Sequence, residues 1–428
     1  MIRILNYGQE PSSAIFARST ATADAAGAVA EIIARVRREG DQALLDYEER
    51  FDRVKLASLE VTEEEFDEAR KAVSPELLGV LDRSAANIRA YHEKQKRPGY
   101  VMTQQPGLIV GQRVIPLEKV GICVPGSGSA TPLASTVLMN AIPARLAGCS
   151  EIVMITPALP DGSVSPVILA AARVAGVDRV FKLGGAQGVA ALAYGTETVP
   201  RVDKIVGPGG AFVAEAKKQV FGQVAIDMIA GPSEILVVAD GKSDPRYLAA
   251  DLLSQAEHDK NASAVLVTDS PALAKAVQAE IEVQLPALAR QEIARASIEH
   301  NGKIIVAEDL HEAVAIANEI APEHLELCLD DPFDWLPEIR HAGSVFLGRS
   351  CPEAMGDYCA GPNHTLPTGG TARFSSPLSV DDFVKKSQYI YYTPQAQADA
   401  APDVALFARA EGLTGHARSA LIRREGRK

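Results

Sequence analysis

Most of the reactive chemistry in this 428-residue chain gathers around four of its eight histidines. Glu323 and His324 are adjacent, after Ala321-Pro322 and before the apolar run at 325–329. A carboxylate beside an imidazole at the start of a strand supplies two groups tunable toward neutrality, as general acid and base catalysis requires. An exposed turn is the other reading of the same spacing. Gln255 and His258 follow the helical run 247–254 three residues apart, so they share a helix face and offer an oxygen and a nitrogen to a divalent ion, or else finish a solvated helix end. Asp357 and His364 lie in Gly356-Asp357-Tyr358-Cys359-Ala360-Gly361-Pro362-Asn363-His364-Thr365, a segment too rich in Gly and Pro for regular structure and of the kind that carries chemistry on loops. Glu411 and His416 form a fourth pair near the C-terminus. His92, His300, His311 and His341 lack such company and read as surface or structural.

Three glycine-rich turns add a second kind of site. Val124-Pro125-Gly126-Ser127-Gly128-Ser129, Leu183-Gly184-Gly185-Ala186-Gln187-Gly188 and Val206-Gly207-Pro208-Gly209-Gly210 each follow a strand candidate, where backbone N–H groups can hold an anion or a dinucleotide. None has the G-x-G-x-x-G or G-x-x-x-x-G-K-[ST] register, so each taken alone also reads as a tight turn.

The elements that must position these residues follow from periodicity. Val29, Ile32, Ile33 and Val36 recur at helical spacing, with Gly40 as a stop. Thr62 with Glu65 is a capping box, and Ser74-Pro75-Glu76 opens another helix that runs to about Lys94. From there short β-rich runs alternate with helical segments, the pattern of parallel sheets covered on both faces. Strands are predicted at 114–124, 152–156, 179–183, 204–206, 235–239, 264–268, 304–306 and 344–347. That is too many for one sheet, and the predicted fold is α/β with two doubly wound, Rossmann-like parallel-sheet domains. The expected boundaries are an N-terminal helical segment 1–112 packing on the second α/β domain, a first domain 113–238, a second 239–379, and a helical C-terminal tail 380–428 exchanged in a dimer.

Composition limits the function. A net charge of −12 disfavours nucleic acid and membrane surfaces and points to a small-molecule substrate. The start MIRILNYGQE has no signal-peptide core, and no stretch has the apolar length of a membrane helix, so the chain reads as unprocessed and cytoplasmic. Five widely spaced cysteines without a C-x-x-C pair read as reduced thiols.

Taken in order, STVLMNAIPARLAGC, LGGAQGVAALAYGTETVPRVDKIVGPG, IDMIAGPSEILVVAD, DLLSQAEHD, APEHLE, GSVFLG, GDYCAGPNHTLPTGGTARF and EGLTGHARS resemble the histidinol dehydrogenase family, from about residue 25 to the C-terminus. The resemblance implies a zinc-dependent, NAD-linked four-electron oxidation of L-histidinol through L-histidinal to L-histidine. It assigns zinc, one per subunit, to Gln255, His258, Asp357 and His416. It makes His324 the base of the hydride steps and Glu323 the group that activates water. Ser233, His364 and Glu411 join Gln255, His258, His324, Asp357 and His416 as substrate contacts. It also implies a homodimer whose tail brings Glu411 and His416 to the partner's site. Of three NAD-contacting positions Gln187 is kept, whereas Cys123 stands where the family usually has Tyr and Gly210 where it has Asn. The turn from Gly126 to Ala134 is about two residues longer than usual. Two other functions stay open on the sequence: a paralogue oxidising another small alcohol such as a sulfonated diol, and a catalytically silent zinc- or metabolite-binding dimer. The GDYCAGPNHTLPT loop is of the histidinol type, and a silent binder has no need of Glu323 and His324.

Overall fold

The computed structural model describes residues 1–18, 25–126 and 132–425. They fall into two compact units, residues 1–95 with 117–383, and residues 96–116 with 384–428.

The first unit holds two all-parallel sheets, as the alternating pattern predicts. One has six strands in the order Arg3–Asn6, Lys303–Val306, Ser263–Thr268, Glu234–Ala239, His324–Cys328, Ser344–Leu347. The other has five, in the order Arg179–Lys182, Glu151–Thr156, Lys119–Cys123, Lys204–Val206, Ala225–Ile226. Their central strands are buried on both faces, which is why they read as continuous apolar runs. Apolar clusters fill both sides of each sheet, for instance Ile235, Val237, Leu252 and Leu266 on one face of the larger sheet and Leu236, Val238, Ile316 and Leu325 on the other.

Three sequence expectations change here. The helices between Ala26 and Glu93 pack on the five-stranded sheet and not on the second domain: Val29, Ile32 and Val36 join Val153, Phe181 and Ala190, while Phe66, Leu81 and Ile88 join Ile122 and Ile142. Only Arg3–Asn6 reaches the six-stranded sheet, as an edge strand beside Lys303–Val306. The boundary expected at 238 falls inside Glu234–Ala239, a strand whose neighbours on both sides belong to the six-stranded sheet. The strand expected at 114–124 is two strands in different sheets. Leu108–Pro116 ends at a proline, which has no N–H to extend a ladder, and Lys119–Cys123 begins the five-stranded sheet.

The second unit is a three-stranded antiparallel sheet, Val384–Tyr392, Leu108–Pro116, Tyr100–Gln105, with helices Pro394–Ala410 and Thr414–Glu425. The tail predicted to be helical therefore opens with a nine-residue strand. Among the described residues no helix is long and apolar enough to cross a membrane.

Candidate active site

Glu323 and His324 sit where the helix Leu310–Ile320 turns into the strand His324–Cys328. The turn is made by Ala321, fully buried at φ +50, a left-handed conformation that costs a non-glycine residue roughly 1 kcal/mol or more. His324 pairs in register with Ile235 on one side and Ser344 on the other, so the pair stands at the amino end of the sheet between its two neighbours. Residue Glu234 fixes both side chains through its backbone: its N–H donates to Glu323 Oε2 at 2.9 Å, and its carbonyl accepts from His324 Nδ1 at 3.0 Å. This assigns the proton of a neutral His324 to Nδ1 and leaves the Nε2 lone pair without a hydrogen-bond partner.

The helix Pro245–Ala256 brings in the next pair. Asp244 caps it by accepting Arg246 N–H, and its inward stripe of Leu248, Leu252 and Leu253 docks it on the sheet. That stripe buries Gln255 in the last turn and leaves His258 just beyond the helix, where its N–H donates to the Gln255 carbonyl at 3.2 Å. With its carboxamide assigned from its neighbours, Gln255 donates to Glu353 at 2.9 and 2.7 Å and accepts from Glu234 N–H at 3.2 Å. Of the third pair, Asp357 lies in a single π-helical turn, Gly356–Ala360, where the sequence predicted no regular structure, and His364 lies in the irregular stretch after it. Asp357 Oδ1 is 3.7 Å from His324 Nε2 and 4.0 Å from His364 Nδ1.

Ser233, Gln255, His258, Glu323, His324, Asp357 and His364, seven of the residues singled out in the sequence, line one cavity of about 130 Å³. Glu411 and His416 belong to the second unit, at the end of Pro394–Ala410 and in the first turn of Thr414–Glu425, and are exposed there. His92, read as surface or structural, is fully buried and bonds Gln95 at 2.7 Å.

Two buried carboxylates at the site were not singled out from the sequence. Glu353 is buried with Oε1 3.8 Å from His324 Nε2, and Glu326, also buried, accepts Glu353 N–H at 2.8 Å. Glu353 lies outside every motif and is brought to the site by folding, whereas Glu326 closes APEHLE two residues after His324 on the same strand. Among the described residues, His324, Glu353 and Asp357 hold ligand atoms within 4.8 Å of one another, a trio that shares Asp357 with the expected zinc set and differs from it otherwise.

The electrostatics match a cation site beside a base. Burial lowers the pKa of His258 and of His364, so both stand as neutral imidazoles with lone pairs to give. Burial also works against the Asp357 charge, but the imidazoles of His324, His364 and His258 outweigh it and keep the carboxylate ionised. Neutral imidazole nitrogens and an ionised carboxylate are the donor set a divalent metal of zinc type takes. The Gln255 oxygen joins them only by giving up its 3.2 Å contact with Glu234. Burial disfavours the His324 imidazolium, yet the carboxylates of Glu323, Glu353 and Asp357 overcome it and raise its pKa. Burial raises Glu323 as well.

A second cavity, of about 260 Å³, opens at the carboxyl ends of the five-stranded sheet. Cys123, Gly126, Gly184, Gly185, Gly209 and Gly210 line it, and Pro208 is common to both cavities. Carboxyl strand ends with glycine-rich turns are where doubly wound sheets hold dinucleotides, and the walls leave backbone accessible. Gly207, at φ +103, lets the third turn fold against the Cys123 carbonyl, which a Cβ would strike. Burial pushes the Cys123 thiol up to about 12, so it lines the cavity as an inert group. Gln187 does not line it: its side chain is buried and bonds Glu48 at 3.0 Å. The longer turn expected between Gly126 and Ala134 falls largely outside the described residues.

The family model described as histidinol dehydrogenase matches residues 17–424. The chain is 57% identical over 397 residues to a histidinol dehydrogenase of Syntrophotalea carbinolica, covering 92% of this chain and 91% of that one. It is 54% identical over 429 residues to one of Geobacter metallireducens, covering 99% and 98%. Among solved structures, the crystal structure of histidinol dehydrogenase from Elizabethkingia anophelis matches with a TM-score of 0.93 at 37% identity, covering 100% of this chain and 99% of that chain. The match runs over nearly the full length, and the chain is a member of the histidinol dehydrogenase family.

Proposed function

We propose that this cavity is where the chain, an NAD-dependent dehydrogenase of histidine biosynthesis, oxidises L-histidinol through L-histidinal to L-histidine. The observation that carries this reading is the free Nε2 of His324, buried in the cavity with its ring held from behind by the Glu234 carbonyl. The glycine-rich turns of the neighbouring cavity would hold NAD, which would supply the hydride acceptor for two successive oxidations. Gln255, His258, Asp357 and a tail histidine, His416, would hold zinc, which would supply a fixed anchor for the substrate's imidazole and amine.

The protein's own groups do the proton chemistry. With Nδ1–H tied to Glu234, His324 takes the alcohol proton at Nε2 as the carbinol hydrogen leaves as hydride, giving the aldehyde. Glu323 takes a proton from the water that adds to the aldehyde carbon and returns it to the former carbonyl oxygen, giving the hydrate. His324, once it has released the first proton to solvent, takes a hydroxyl proton from the hydrate at Nε2 as the second hydride leaves, giving the acid. The carboxylates of Glu323, Glu353 and Asp357 raise the His324 pKa, and a cation held beside Asp357 would offset part of that charge. Burial of both groups keeps water scarce except where Glu323 needs one.

The dimer belongs to this reading. The second unit exposes the apolar side chains of Ile390, Tyr391, Leu406 and Phe407, with Phe407 70% and Ile390 69% accessible, a surface of the kind that a partner covers. A second copy covers it and brings its Glu411 and His416 to the site. The acidic chain with free thiols works in the cytoplasm.

The test is NADH formation from L-histidinol on zinc-loaded protein, with product counted. Two NADH per histidine is the expected result. NAD binding without NADH from histidinol would reassign the substrate to another alcohol, and absence of NAD binding would overturn the dehydrogenase reading.

A further inference from the structure

Glu48 is a buried carboxylate behind the glycine wall of the second cavity, and the reaction as described makes no use of it. It is fully buried where the helix Asp41–Tyr47 widens into the wider turn Glu48–Asp52. Its Oε1 accepts from Gly184 N–H at 3.4 Å and from the Gln187 carboxamide NH2 at 3.0 Å. Its Oε2 accepts from no donor among the described residues.

These two bonds decide which way Gln187 faces. With its NH2 held by Glu48, the carboxamide oxygen turns to the Gly185 side, so close that a Cβ on Gly185 would stand 2.7 Å from it. Gly185 is also at φ +56, a conformation that suits glycine, so the wall at this point is bare backbone with the Gln187 oxygen directly behind it. Without Glu48 the carboxamide has no reason to keep that orientation, and the Gly184 N–H at the start of the helix Gly185–Tyr194 loses its partner.

We propose that Glu48 is a positioning residue for the dinucleotide: through Oε1 it locks the Gly184–Gly185 corner of the wall and fixes the Gln187 carboxamide packed behind it. This rests on the reading of the second cavity as the NAD site. The arrangement works in either protonation state. Burial, with Asp52 beside it, raises the pKa to about 8 against the pull of Gln187 and Gly184, and a proton on Oε2 leaves Oε1 free to accept. A glutamine at this position keeps the acceptor, whereas a leucine of similar size removes it.

The experiment is calorimetric NAD titration of the zinc-loaded dimer, alongside KM for NAD, KM for L-histidinol and kcat, for wild type, Glu48→Leu, Glu48→Gln, Gln187→Ala and the Glu48→Leu/Gln187→Ala double variant. Glu48→Leu should weaken NAD binding about tenfold, the scale of a lost buried hydrogen bond to a charged or polar partner. Glu48→Gln should stay within about threefold of wild type, and histidinol KM should hardly move in either. The double variant should bind NAD no more weakly than Gln187→Ala alone, because the two residues act as one unit. Equal NAD affinity in wild type and Glu48→Leu would overturn the proposal. So would parallel losses in NAD and histidinol binding, or a Glu48→Gln variant as weak as Glu48→Leu, both of which would mark a structural role. Wild-type protein that fails to bind NAD would instead overturn the cavity's assignment, and the proposal with it.

Discussion

His324→Asn separates the base from everything else His324 does. The imidazole makes one hydrogen bond, from Nδ1 to the Glu234 carbonyl, and keeps Nε2 free 3.7 Å from Asp357 and 3.8 Å from Glu353. Asparagine has a donor for the Glu234 carbonyl but no basic nitrogen. A positioned general base contributes about 10²- to 10⁴-fold, roughly 3 to 5.5 kcal/mol of barrier at 1.4 kcal/mol per tenfold. The base acts in both hydride steps, so the loss should appear separately with L-histidinol and with L-histidinal as starting substrate. The folded state changes less, by about 1–2 kcal/mol, because one buried hydrogen bond is weakened and not a core emptied. Zinc content should remain at the wild-type ratio, since Asp357, His258 and Gln255 are untouched. NADH absorbance for each half-reaction, elemental analysis and thermal unfolding together decide it. Turnover within threefold of wild type in either half-reaction would refute the base assignment. Zinc lost together with activity would refute it too, by making His324 a ligand.

Three further outcomes follow from the same structure. Asp357→Ala should strip most of the zinc, and His416→Ala should lower it in both subunits; unchanged metal by elemental analysis in either variant would remove that residue from the ligand set. Lys217→Met leaves Asp227 buried without its ion-pair partner, on the turn that also binds Gly207, and should cost about 3–5 kcal/mol in denaturant unfolding; a loss below about 1 kcal/mol would show that the pair is not charged. Glu48 titrates at about 8 folded against an ordinary 4.5, so between those values the native state binds more protons than the unfolded chain, and the stability this contributes is full below about pH 4.5 and is lost as pH rises through 8. Glu48→Gln lacks that dependence, and its Tm relative to wild type should climb from pH 5 to pH 8 and then level; a constant difference would place the Glu48 pKa in its ordinary range.

The sequence carried the chemistry and the local grammar. Side-chain type is a local property, so Glu323-His324, Gln255 with His258, and the Asp357 to His364 segment were legible before any fold. Caps are local too: Thr62 accepts from Glu65 N–H and Ser74 from Leu77 N–H, as their spacing predicts. The parallel sheets announced themselves because a strand buried on both faces is apolar throughout. Tertiary structure decided what periodicity cannot encode. Which sheet a helix covers depends on partners far along the chain, so the helices from Ala26 to Glu93 were placed on the wrong one. Val384–Tyr392, bearing two lysines, became a strand only by pairing with Leu108–Pro116. Glu353 and Glu48 sit in no motif, since each acts through a partner brought close by folding, Gln187 lying 139 residues from Glu48. A sequence fixes the groups a site has to work with, whereas burial, which sets their charge and their orientation, exists only once distant segments have excluded water around them.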